Sequence, residues 1–117
     1  MAMRIELQPG EPEVLQLVLS YMSRRFFDPS DSDRLLETET QLEEARRQMA
    51  GSRKATLVLD ADEVATMLRA LSSYIEEFDR PTSGADREQL RVIHRFGARL
   101  QRRQGLWGRL LARLGLR

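Results

Sequence analysis

The stretch from residue 55 to residue 78, ATLVLDADEVATMLRALSSYIEEF, contains the patterns that decide the fold of this chain. Its first five residues alternate, with Ala55, Leu57 and Leu59 on one side, which predicts a half-buried strand. Asp60 and Glu63 then stand three residues apart and predict a capping box that begins a helix. The apolar residues that follow recur at spacings of three and four, as on the buried stripe of a helix. They are Val64, Met67, Leu68, Leu71, Ile75 and Phe78.

The beginning of the chain repeats this plan. Residues 3–7, MRIEL, alternate with Met3, Ile5 and Leu7 on one side. A helical stripe follows, made of Leu15, Val18, Leu19, Met22 and Phe26. The phrases after the two stripes, FDPSDSDR at 27–34 and FDRPTSGADR at 78–87, also resemble each other. Self-similarity at a separation of roughly fifty residues predicts a duplicated unit of one strand and two helices.

The second helix of each unit is predicted from the residues after the repeated phrase. Pro29 and Pro81 are expected to end the first helices, and Asp31 or Ser32 to cap the next helix in the first half. Its inward residues are Leu35, Thr38, Leu42, Ala45 and Met49, and those of the last helix are Leu90, Ile93, Phe96, Gly97 and Leu100.

These patterns predict a predominantly helical α+β fold made of two βαα units, residues 1–51 and 52–104, which share one core in a single domain. The strands at 3–7 and 55–59 are expected to pair as a short two-stranded antiparallel sheet. Such a ribbon leaves two open edges, which helices or a second chain must cover.

Composition places the chain among ordinary globular proteins. Of its 117 residues, 41% are hydrophobic and 32% are charged. The absence of cysteine excludes a disulfide framework and thiolate metal sites, and it suits a cytoplasmic location. No stretch approaches the ~18 consecutive apolar residues that a membrane-spanning helix needs.

The sequence gives little support for catalysis. His94 is the only histidine, there is no glycine-rich phosphate loop, and the pairs Glu43-Glu44 and Glu76-Glu77 are adjacent and so point in different directions on a helix. Residues 28–39 resemble the spacing of a calcium-binding loop, but Asp33 stands where that loop needs glycine. We therefore predict no enzymatic activity, no cofactor and no metal.

The charges of the chain are divided between its two ends. Residues 1–86 hold ten Lys/Arg and seventeen Asp/Glu, a net charge of −7, whereas residues 87–117 hold nine Arg and one Glu, a net charge of +8. At about 100° per residue, arginines and apolar residues fall on separate faces of one long amphipathic C-terminal helix. The predicted interaction surface consists of Trp107, Leu110, Leu111, Leu114, Arg87, Arg91, Arg95, Arg99, Arg109 and Arg113.

Residues 105–117 form an extension without an equivalent in the first half. Their helical phase continues across Gly105 and Gly108, which predicts one helix, with a hinge at these two glycines as the alternative. Their apolar face must dock on something. Four partners remain open: the chain's own domain, a second copy, an anionic membrane, or nucleic acid. The sequence favours a small non-enzymatic interaction or regulatory module that forms a homodimer through this helix, with Trp107 buried. The alternative is a peripheral membrane or nucleic-acid-binding adaptor that uses the arginine face.

Overall fold

The computed structural model describes residues 2–25, 28–51, 53–79 and 87–113, and for residues 106–113 it describes the backbone alone. In chain order these residues form β1 (Met3–Glu6), α1 (Glu11–Ser23), α2 (Pro29–Ala50), β2 (Thr56–Leu59), α3 (Ala61–Phe78) and α4 (Arg87–Arg113). The predicted α+β fold, mostly helical with a short two-stranded antiparallel sheet, is confirmed.

The starts of α2 and α3 follow from local hydrogen bonds. The predicted capping box is confirmed, because the Asp60 carboxylate accepts from the Glu63 N–H at 2.8 Å and the Glu63 carboxylate accepts from the Asp60 N–H at 3.1 Å. The predicted cap of α2 is wrong. Asp28 caps that helix by accepting from the Ser30 N–H at 2.9 Å. Pro29 is its first residue, where the missing N–H costs nothing.

The sheet is built symmetrically about one residue pair. Ile5 lies opposite Leu57, and Met3 lies opposite Leu59. The Leu7 N–H extends the ladder by donating to the Ala55 carbonyl at 2.9 Å. Ile5 and Leu57 are 52 positions apart, and the same shift relates Met3 to Ala55 and Leu7 to Leu59. Each strand therefore meets the other in the register that a two-fold axis through the central pair requires.

The first helices of the two halves obey the same shift of 52 positions. Four pairs of residues so related are buried in both helices: Leu15 and Met67, Val18 and Ala70, Leu19 and Leu71, and Met22 and Tyr74. In the second helices the shift is 51 positions, with buried Leu42 matching Ile93 and Ala45 matching Phe96. A duplicated βαα unit predicts these correspondences, and the duplication itself stays a prediction.

One core joins all six elements. Helices α1 and α3 contact each other, and each also packs against both α2 and α4, so the pair α1–α3 lies between the two outer helices. The inward residues predicted for α2 and α4 are buried, except that Met49 and Gly97 are half-buried. Thr66, Tyr74 and Val92 are also buried although the sequence patterns did not single them out.

Candidate interaction surface

The buried residues of α4 extend as far as Leu100. This residue is the last buried side chain that the structure describes, and the five residues from Gln101 to Gly105 are all exposed. Five successive residues at 100° intervals reach every side of a helix. Burial of α4 side chains therefore stops before this level, where the remaining contact with the body is the hydrogen bond that Arg103 donates to the Arg4 carbonyl of β1. A Cβ built on Gly105 would meet no atom within 4 Å.

The helix nevertheless continues for another two turns. Its backbone passes through Gly105 and Gly108 and remains helical to Arg113, which gives α4 27 residues and a length of about 40 Å. The side chains of Trp107, Arg109, Leu110, Leu111 and Arg113 lie outside the described part of the structure, and Leu114 lies outside the described residues altogether. The predicted burial of Trp107 thus stays a prediction.

Both edges of the β-ribbon are covered from within the chain. The Gln41 amide group donates to the Val58 carbonyl at 2.9 Å and accepts from the Val58 N–H at 3.1 Å. On the other edge, Arg99 donates to the carbonyl of Glu6 and Arg103 to that of Arg4. Each strand is thus covered by the second helix of the other half. Because side chains already use these outward backbone groups, addition of a strand from another chain would have to displace them.

Arg99 has a structural role in this geometry. Its guanidinium forms an ion pair with Glu11, whose residue is only 3% exposed, and lies 5.4 Å from the centre of the Phe96 ring. The Arg99 side chain is itself only 21% exposed. Sequence reasoning assigned Arg99 to the interaction surface because helical phase does not reveal that β1 and the start of α1 lie beside this position.

The other described arginines of the predicted surface are more exposed. Arg87 donates to the Asp79 carboxylate at 2.7 Å, and Arg91 lies 3.4 Å from Glu88 one turn earlier. Such exposed pairs contribute little to stability. Arg95 is exposed, and helical phase places it on the same side of α4 as Arg91 and Arg102. Within the described residues, these three arginines and the exposed Arg87 form the accessible part of the basic face.

The remaining candidate residues for chemistry have structural partners. The Asp31 carboxylate is buried between α2 and α3, where it accepts from Arg69 at 2.8 Å and from Thr66 at 3.2 Å. His94 lies 3.5 Å from Asp79 at the surface. Within the residues that the structure covers, no group of three or more His, Asp or Glu side chains could hold a metal ion. Residues 29–39 belong to α2 and do not form a calcium-binding loop.

The flank opposite α4 carries carboxylates with different environments. Burial raises the pKa of Glu39, against the opposing effects of the Ser20 hydroxyl and Arg24. Hydrogen bonds from Arg46 and then from Gln16 lower the pKa of Glu43. Glu43 therefore belongs to a local network, with Gln16 donating to it across the α1–α2 interface at 2.7 Å.

Comparison with protein-family models, with curated proteins and with solved structures gives no match for this chain. Among the described helices, none combines the length and the apolar character needed to cross a bilayer.

Proposed function

We propose that this protein is a non-enzymatic interaction or regulatory module of the cytoplasm that forms a homodimer through the C-terminal part of α4. One observation carries the proposal: Leu100 is the last buried residue of α4 among those whose side chains the structure describes, whereas the helix continues to Arg113. The turns beyond Arg103, the last described residue of α4 that contacts β1, have no counterpart in α2, and the proposal gives their apolar residues a partner.

The composition of the segment supports a protein partner. Trp107, Leu110, Leu111 and Leu114 fall within one face by helical phase. Full burial of a large apolar side chain contributes about 1.5–3 kcal/mol, so a face with four of them can support association. A two-fold dimer would cover this face on both copies by the same contact.

Light scattering coupled to size exclusion tests the proposal. The full chain should have about twice the monomer mass of 13.5 kDa, and the full-length double variant Trp107→Ser, Leu111→Ser should have the monomer mass. The matched control is Leu116→Ser, because helical phase places that leucine roughly opposite Leu114, away from the apolar face. This control should remain dimeric. A full-length chain that stays monomeric up to high micromolar concentration would contradict the proposal.

A second candidate function is that of a peripheral membrane or nucleic-acid-binding adaptor. The exposed arginines Arg91, Arg95 and Arg102 on one side of α4 favour it, since arginine suits phosphate groups. Co-sedimentation should then require vesicles with anionic lipid and weaken with salt, or labelled DNA or RNA should shift at low salt. Absence of both effects, or equal binding to neutral vesicles, would exclude this candidate.

A further inference from the structure

Opposite charges lie on opposite flanks of the molecule. Helix α2 carries six acidic residues against three arginines, whereas α4 carries eight arginines against one glutamate. The central pair α1–α3 separates the two helices. The charge division seen in the sequence is therefore also a division in space. Part of each flank is engaged within the chain, because Arg46 and Arg47 pair with Glu43, and Arg99 and Arg103 contact β1.

The acidic flank also has an apolar component. The exposed large hydrophobic residues of the described chain are Leu17, Leu36 and Val58, and two of them belong to α1 and α2. Leu36 is 53% exposed and lines a groove with Glu39, Glu43, Glu44 and Arg47, whose guanidinium lies 3.6 Å from Glu43 and 3.9 Å from Glu44. Leu17 is 48% exposed and belongs to α1, which contributes Gln16 to the same groove. Leu17 and Leu36 thus add exposed apolar side chains to the two helices that line this groove.

We propose that this α1–α2 flank is the surface on which α4 of a second copy docks. The inference rests on the proposed function and specifies its geometry. Helical phase predicts arginines beside an apolar face in the C-terminal part of α4, and the α1–α2 flank carries carboxylates together with the exposed Leu17 and Leu36. Charge and apolar character are thus complementary between the two surfaces. Two copies related by a two-fold axis would make the contact twice, with each α4 on the partner's flank.

The test compares two kinds of full-length variant. Leu17→Ser with Leu36→Ser changes the flank, and Trp107→Ser with Leu111→Ser changes α4. The flank variant should weaken dimerisation at least tenfold in sedimentation experiments, with unchanged circular dichroism because both leucines are exposed. Val58→Thr is the matched control, since Val58 lies on the ribbon edge that Gln41 covers, and it should dimerise like the unmodified chain.

Mixing the two variants gives the more specific result. The flank variant keeps Trp107 and an intact α4, while the α4 variant lacks tryptophan and keeps the intact flank. Titrating the second into the first should shift the tryptophan emission to the blue in a saturable manner. A titrant that also carries Leu17→Ser and Leu36→Ser should give no shift. A flat titration with the intact flank would overturn the inference.

Salt separates this arrangement from direct pairing of two C-terminal segments. Contact between opposite charges should weaken as sodium chloride is raised, whereas two arginine-rich segments packed together should associate more tightly because their repulsion is screened.

If the unmodified chain dimerises and the flank variant dimerises equally well, the docking surface is wrong and the proposed function stands. If the unmodified chain is a monomer, both are wrong.

Discussion

The two halves of the molecule follow one plan and differ where their second helices end. In the first half, α2 stops at Ala50, the Gly51 N–H bonds to the Gln48 carbonyl at 3.1 Å, and the chain enters β2 a few residues later. In the second half, α4 passes the corresponding position at Gln101 and continues to Arg113. The described part of α4 is buried only as far as Leu100, close to the position that corresponds to the end of α2. The turns of α4 beyond that position are therefore the part of the chain that the fold does not explain.

The largest expected effects test whether the halves share a core. Leu19 and Leu71 occupy corresponding positions and are buried. Leu19→Ala and Leu71→Ala should each lower the free energy of unfolding by about 4 kcal/mol because each leaves a cavity. Urea denaturation monitored by circular dichroism measures both. A loss below ~1 kcal/mol for either variant would show that the two positions are not equivalent in packing.

The next effects compare how the halves cover the sheet edges. Arg99→Gln should cost about 3 kcal/mol, because it leaves the Glu11 carboxylate buried without its ion-pair partner. Gln41→Ala removes neutral, solvent-accessible hydrogen bonds to Val58 and should cost only about 1 kcal/mol.

A double-mutant cycle is the control for Arg99. Adding Glu11→Gln to Arg99→Gln should recover part of the lost stability, because the uncompensated charge is removed. Equal losses for Arg99→Gln and Gln41→Ala, with no recovery in the double variant, would contradict the assigned role of the ion pair.

The helix starts offer a smaller contrast. Asp60 uses its side chain to cap α3. Its counterpart Gln8 contributes backbone groups: its N–H donates to the Glu11 carboxylate at 2.7 Å, and its carbonyl accepts from the Glu11 N–H at 3.0 Å. Asp60→Ala should therefore cost about 1 kcal/mol, and Gln8→Ala should change the unfolding free energy very little. Thermal denaturation of the two variants measures the difference, and equal losses would show that the two caps are not distinct.

The smallest effect depends on pH. Burial raises the pKa of Glu63, and the negative charge of the neighbouring Asp60 raises it further. The hydrogen bond that the Glu63 carboxylate accepts from the Asp60 backbone acts against this increase. A carboxyl that holds its proton more tightly in the folded state lowers stability at neutral pH, and this penalty disappears as the pH falls through the raised pKa. Glu63→Gln should therefore gain stability over the unmodified chain at pH 7, and the gain should shrink toward pH 4.5.

Glu11 corresponds to Glu63 by the shift of 52 positions, and the same substitution there should change stability in the opposite direction. Glu11→Gln should lose stability at pH 7, because Glu11 is paired with Arg99. Chemical denaturation at both pH values gives the comparison. If the stability gained by Glu63→Gln increased as the pH was lowered, the predicted direction of the effect would be wrong.

The sequence predicted those features that depend on local periodicity. The strands, the helical stripes and the Asp60–Glu63 capping box each follow from spacing within one segment, and the structure confirms them for the residues it describes. Phe26, predicted to continue the first stripe, lies outside the described residues, and α1 ends at Ser23. Features that depend on which elements become neighbours were not predictable. The burial of Tyr74 depends on its packing with Tyr21 and Phe78, with ring centres 5.8 and 4.5 Å away, and Tyr21 belongs to the other half of the chain.

In the candidate site, too, features of local periodicity were predictable and contacts between distant elements were not. Helical phase correctly separated the arginine face of α4 from its core-facing residues Leu90, Ile93, Phe96 and Leu100. It could not show that Arg99 reaches Glu11, because these residues are 88 positions apart in sequence. The exposed leucines on α1 and α2 also lacked a sequence signal, since an apolar residue at a helix surface resembles one at its boundary.

Trp107 provides the most direct test that a second copy covers the C-terminal part of α4. It is the only tryptophan in the chain, so its emission reports on this segment alone. The protein without any ligand should show blue-shifted emission at high micromolar concentration, and dilution should shift it toward the emission of water-exposed indole as the scattering mass falls by half. Emission typical of exposed indole at every concentration, or a blue shift that persists in the monomer, would contradict the account.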